Sequence, residues 1–145
     1  MKLEIVLQHK GSDVETIRPD ETVATLIQRL AQRKIGALVV SGDGAAVEGI
    51  VSERDVITRL ASDGPGILSG PVSAIMTRTV TCAPLNARTR DLMGLMTNSR
   101  IRHVPVLDDA EQLVGIVSIG DVVKSRMGEL EYERDALVHY VTVGG

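Results

Sequence analysis

The sequence predicts a mixed α/β protein of the α+β type. Two copies of a β-α-β-β-α unit pack as a pseudo-twofold pair, and a helix follows at the C-terminus. Three observations lead there. Displacing the chain by 66 positions lays Gly49-Ile50-Val51-Ser52 on Gly115-Ile116-Val117-Ser118, Asp55-Val56 on Asp121-Val122, and Leu26, Ile35 and Val40 on Leu92, Ile101 and Val106, the self-similarity of a repeat. Within each copy the apolar residues switch between helical and strand spacing. The 145 residues are 43% hydrophobic yet include no Phe or Trp, so the core is built from Val, Ile, Leu, Ala and Met. A chain of this length buries about 68–70% of its unfolded surface and needs no disulfide or metal staple.

In the first copy an extended segment, 15–18, leads through Pro19 into a helix. Thr22 is its N-cap, and Val23, Leu26, Ile27 and Leu30 form its buried stripe, spaced i, i+3, i+4, i+7. Strand Ala37-Leu38-Val39-Val40 follows, then the polar turn Ser41-Gly42-Asp43-Gly44, a return strand over 48–51 and a helix entered at Ser52. The second copy repeats this order. Its extended segment is 79–82, its stripe is Thr89, Leu92, Met93 and Met96, and its hairpin joins Val104-Pro105-Val106-Leu107 to 113–117 before a helix from Ser118. Ser62-Asp63-Gly64-Pro65-Gly66 and Ser69-Gly70-Pro71 read as a linker. The first copy with its N-terminal extension thus occupies 1–68, the second 69–127, and a tail with a helix over 129–140 fills 128–145. A unit of about 60 residues is marginal alone; two packed together cover both sheets and create equivalent clefts between them.

Composition excludes several functions. Sixteen Lys and Arg against nineteen Asp and Glu give a net charge of −3, with no polybasic footprint for nucleic acid or anionic lipid. Two tyrosines cannot build a base-stacking platform. Cys82 is solitary, His9, His103 and His139 show no ligand spacing, and no nucleophile elbow, P-loop or zinc-protease motif occurs. A non-enzymatic protein without a bound metal is expected. Leu3-Glu4-Ile5-Val6-Leu7 is too short and acidic for a signal peptide, and no apolar run approaches membrane length. The expected location is cytoplasmic, with no membrane partner.

The recurring Gly-Ile-Val-Ser-x-x-Asp ends a strand and opens a helix, where free N–H groups favour an anion. Ser52 and Ser118 sit where a hydroxyl meets a phosphate; Asp55 and Asp121 can accept from the paired hydroxyls of a ribose, as acidic residues do in nucleotide crevices. Ser-x-x-Asp is equally close to a capping box that satisfies only its own backbone. Arg102 can pair with a phosphate and His103 can donate to one. Arg54 fills that role in the first copy, where Gly36 and Ala37 stand in place of Arg102 and His103. Pro105 suggests an edge position beside an opening.

The doubled Gly-Ile-Val-Ser-x-x-Asp, with Val72-x-x-Ile75-Met76-Thr77 and Ile101-Arg102-His103-Val104-Pro105-Val106, resembles the paired CBS domains of a small stand-alone Bateman module, over residues 14 to about 127. The resemblance implies a regulatory module that binds AMP, ADP, ATP, NAD(H) or S-adenosylmethionine between its repeats, pairs into a disc-shaped homodimer and signals to an effector protein. No catalytic cofactor is implied. Asp55 and Asp121 would hold ribose hydroxyls, Ser52 and Ser118 ribose or phosphate, and Arg102, His103 and Arg54 phosphate. Backbone around Ile17 and Val80 would read adenine, lying between aliphatic Ile17, Leu38, Val80 and Val104. Ala37, Thr77, Thr79 and Pro105 would complete the lining. The first copy lacks the family's Val-x-x-Ile-Met lead-in, having Met1–Lys10 instead, and the second is one residue longer between Pro84 and Leu92 than the first between Pro19 and Leu26. A rival expectation is an interaction module whose clefts are empty.

Overall fold

The computed structural model of the protein describes residues 1–11 and 13–144. Ser12, within the 1–68 segment, and Gly145, the last tail residue, lie outside the described residues. The elements run α1 (Leu3–Lys10), β1 (Thr16–Ile17), α2 (Val23–Arg33), β2 (Ala37–Val40), β3 (Gly49–Ser52), α3 (Glu53–Asp63), β4 (Ala83–Pro84), α4 (Thr89–Ser99), β5 (His103–Leu107), β6 (Leu113–Ser118) and α5 (Ile119–His139).

Two three-stranded sheets result, ordered β1-β2-β3 and β4-β5-β6. In each, the first strand is parallel to the central one and the third antiparallel. Ile17 faces Val40 and Leu38 faces Val51; Ala83 faces Val106 and Val104 faces Val117. Each pairing recurs 66 residues later, so the sequence repeat is also a repeat of register. Side chains alternate across a strand, and a slip of one residue would turn each aliphatic row outward. The first core gathers Ile17, Val23, Leu26, Leu38, Val40 and Val51; the second gathers Leu92, Met96, Val104, Val106 and Val117. Thr22 caps α2 by accepting from the Thr25 N–H at 3.2 Å. Helices α2 and α4 stop at Lys34 and Arg100, in left-handed backbone at φ 54° and 55°, a conformation that costs a side-chain-bearing residue about 1 kcal/mol.

The segment read as a linker is largely structure. Turns of 3-10 helix cover Pro65–Ser69 and Val72–Ala74, and Val72 and Ile75 are buried in the first core. The Val72 N–H donates to Glu21 O at 2.8 Å and the Ser73 N–H to Pro19 O at 3.0 Å. The N-terminal segment does the same for the second sheet: the Leu3 N–H donates to Ala87 O at 2.9 Å and the Glu4 N–H to Leu85 O at 3.0 Å. Leu3-x-x-Val6-Leu7 therefore stands where a missing lead-in was expected. It has the spacing of Val72-x-x-Ile75-Met76 without its residues, and its stripe is buried. Each sheet is completed by the segment that precedes the other copy.

Three further expectations are corrected. The strand predicted at 79–82 lies at Ala83–Pro84. Pro105 is not at an edge but in the central strand β5, buried, opposite Ile116. In the first sheet, Ile50 exchanges two hydrogen bonds with Thr77, outside β2, so its partner Val39 turns its own N–H and C=O toward β1. Pro105 holds that same place without an N–H, and β4 begins one residue later, opposite Val106. Finally, the tail is no separate helix: α5 runs unbroken from Ile119 to His139, through Gly128, into a π turn at Tyr140–Gly144. A glycine costs an exposed helix only about 1 kcal/mol, and no proline interrupts it.

Candidate functional site

The start of β2, the N-terminus of α3, the extended run after Met76 and the start of β5 enclose a cleft of about 490 Å³, within the roughly 300–1,000 Å³ typical of small-molecule sites. Ser52, Glu53, Arg54, Asp55 and Ile57 line it from the start of α3, and Thr77, Thr79, Val80 and Thr81 from the run after Met76. Gly36, Ala37 and Ile50 line it from the first sheet, and Arg100, Ile101, Arg102 and His103 from the other copy.

Both Ser-x-x-Asp motifs are closed capping boxes. The Ser52 N–H and hydroxyl reach Asp55 Oδ2 at 2.8 and 3.1 Å, and the Asp55 N–H returns to Ser52 Oγ at 3.3 Å. All of this uses Oδ2, leaving Asp55 Oδ1 without a partner among the described residues. Arg54, Arg100 and Arg102 line the same cleft, and none is in an ion pair among the described residues. His103 lies across Gly36, where a Cβ would stand 3.3 Å from its Cε1. Burial, aided by the Lys10 and Arg102 charges and opposed by Glu53 and Asp121, pushes the His103 imidazole below its ordinary value, so at neutral pH it carries one N–H donor and no charge. The cleft thus offers a helix N-terminus, three cations and one free carboxylate oxygen, suited to an anion joined to a diol.

The equivalent place in the second copy differs. The Ser118 N–H and hydroxyl reach Asp121 Oδ2, both at 2.9 Å, but Lys10 Nζ also lies 2.6 Å from that oxygen and 2.8 Å from Ile116 O. Burial opposes the charged Asp121, yet the bonds from Lys10 and Ser118 outweigh it and hold the carboxyl below the usual range.

The CBS-domain family model matches residues 10–62 and 72–128, one segment on each repeat. The chain belongs to the CBS-domain family. It is similar to a crystal structure of a CBS-domain containing protein from Agrobacterium tumefaciens, at 42% identity and TM-score 0.82 over 87% of this chain and 99% of that one. It is 37% identical over 129 residues to a mitochondrial CBS domain-containing protein of Arabidopsis thaliana, covering 86% of this chain and 62% of that relative's length. At 22% identity and TM-score 0.75, over 86% of this chain and 98% of the other, it shares its fold with a CBS domain pair crystallised with 5′-methylthioadenosine and S-adenosyl-L-methionine. No helix among the described residues is long and apolar enough to cross a membrane.

Of the residues singled out in the sequence of this CBS pair, Ala37, Ser52, Arg54, Asp55, Thr77, Thr79, Val80, Arg102 and His103 meet in the cleft. Ser118 and Asp121 do not line it. Ile17, Leu38 and Val104 are 1%, 1% and 0% exposed and lie in the cores with Pro105 buried beside them, so none of the four lines it either. The Ile17 carbonyl is moreover taken by the Ser41 N–H at 2.9 Å. The structural counterpart of Ile17 is Ala83, not Val80, because both pair with the last valine of the shared register. Sequence reasoning missed Gly36, Ile50, Glu53, Ile57, Thr81, Arg100 and Ile101. The left-handed Arg100 had a signal, since it ends α4 where Lys34 ends α2.

Proposed function

We propose that this CBS pair is a non-enzymatic sensor that binds an adenine nucleotide (AMP, ADP, ATP or NAD(H)) in the cleft at Asp55 and signals by shifting the arrangement of its repeats. The observation that carries this is one cleft lined both by Asp55, whose Oδ1 has no partner among the described residues, and by the unpaired Arg54, Arg100 and Arg102. Asp55 would accept from ribose hydroxyls while the arginines, His103 and the N–H groups opening α3 receive phosphate. Adenine would lie against Val80, Ile50 and Ile101, aliphatic residues of the lining. The adenosyl ligands of the crystallised neighbour are of the same class. A ligand that bridges residues of both copies favours whichever arrangement holds them together, and an effector protein would read it. We further propose a homodimer, since Ile119, Val123, Met127 and Leu130 on α5 and Ile57 on α3 are exposed.

The closed capping boxes favour a second reading, an interaction module with an empty cleft. Thermal melting separates the two. At a nucleotide concentration about 100-fold above Kd, linkage gives roughly 2.7 kcal/mol, a rise in Tm of about 5–10 °C at this size. No rise with AMP, ATP, NADH or S-adenosylmethionine at millimolar concentration leaves the interaction module standing.

A further inference from the structure

Ser118 and Asp121 repeat Ser52 and Asp55, yet their carboxylate is bonded from within the chain by Lys10. Beside the first motif the backbone leaves its lead-in extended: the Ile50 N–H donates to Thr77 O at 3.0 Å, the Thr77 N–H to Ile50 O at 2.8 Å, and residues 77 and 79–81 then line the cleft. Beside the second motif the lead-in does not leave. Helix α1 continues through Lys10, whose ammonium takes the Ile116 carbonyl, counterpart of that of Ile50, and the Asp121 carboxylate. A lysine carries three donors and no acceptor. Lys10 bonds the capped Oδ2, leaving Asp121 Oδ1, like Asp55 Oδ1, without a partner among the described residues, and sets a cation beside the carboxylate a ribose would approach. Leu7 lies over Gly115, where a Cβ would meet its Cδ1 at 2.6 Å, and anchors the helix one turn before Lys10.

We propose that α1 is an internal stopper: Lys10 holds the second cleft shut, so the chain takes one nucleotide, at Asp55, and the cleft at Asp121 accepts another only when Lys10 is withdrawn. This rests on the ribose role proposed for the two aspartates. It gives the N-terminal helix a function in stoichiometry beyond completing a core.

Equilibrium dialysis of the full chain with AMP, ATP, NADH and S-adenosylmethionine, each separately, tests it. The wild type is expected to bind one nucleotide per chain and Lys10→Met two, the second with a Kd at least about tenfold below any second site of the wild type, the scale of a charge-assisted hydrogen bond. Adding Asp121→Asn to Lys10→Met should weaken the second site alone, by about 10- to 100-fold; adding Asp55→Asn should weaken the first alone by as much. Lys10→Gln, still polar at the end of α1, carries the same expectation where Lys10→Met does not fold. Two sites in the wild type, one site in both Lys10 variants, or loss of all binding in them would overturn the stopper while leaving the Asp55 site in place. No binding of any probe by wild type or variants would overturn both.

Discussion

The two Ser-x-x-Asp motifs share sequence, cap geometry and register, and differ in what approaches them. At Asp55 residues 77 and 79–81 line an open cleft together with Arg54, Arg100 and Arg102; at Asp121 a helix closes in and Lys10 bonds the capped carboxylate oxygen. A motif therefore specifies local geometry, and its neighbour in the fold decides whether that geometry is open. The neighbours are Thr77–Thr81 in one case and Leu7–Lys10 in the other, segments that belong to the opposite copy.

The comparison breaks most visibly in binding. Asp55→Asn should weaken nucleotide affinity about 10- to 100-fold, the range of charge-assisted hydrogen bonds, while Asp121→Asn leaves it within about twofold by calorimetry. Equal losses would show the two clefts to be equivalent after all. Stability should separate the motifs' glycines next. A Cβ on Gly49 would lie 2.9 Å from the Thr77 carbonyl and 2.7 Å from Met76 Sδ, whereas on Gly115 its nearest neighbours are the Cδ1, Cδ2 and Cγ of Leu7. Gly49→Ala should cost about 1–3 kcal/mol in urea unfolding and Gly115→Ala less, because a leucine tip yields and a paired carbonyl does not.

The smallest effect concerns pH. His103 faces Lys10, Glu53, Asp121 and Arg102, and its imidazole is held below the ordinary value of about 6.5. As pH falls through that value the unfolded chain takes up the proton first, so stability present above it declines by at most about 1.4 kcal/mol per pH unit. Melting between pH 7.5 and 5.5 should fall less in His103→Gln than in the wild type. Asp121, shifted down, contributes in a lower window, its stability being lost only as pH falls below the usual carboxylate range.

Much of this was legible in the sequence. Aliphatic periodicity and the recurrence of Gly-Ile-Val-Ser-x-x-Asp located both hairpins and the helices that follow them, because register is set by which face of a strand is apolar. Arg54, Asp55, Arg102 and His103 were legible as chemistry and do share a cleft. The adenine contacts expected of Ile17, Leu38 and Val104 were not, since alternation does not say which of two buried faces meets a ligand, and these three face the cores. The helix at the N-terminus escaped for another reason. Leu3, Val6 and Leu7 keep the spacing of Val72, Ile75 and Met76 but none of their identities, and what they pack against is more than 70 residues away in the chain.

The exchanged lead-ins also set an order of maturation. The first sheet and its lead-in are contiguous, within about 13–77, so that half closes through contacts of modest sequence separation and can form as it leaves the ribosome. The second half cannot. Its missing piece is residues 1–10, which are made before the sheet they complete and must wait, with Leu3, Val6 and Leu7 uncovered, until Leu85, Ala87 and Gly115 exist to receive them. Slow synthesis therefore prolongs the interval in which the apolar stripe of α1 is open to other contacts.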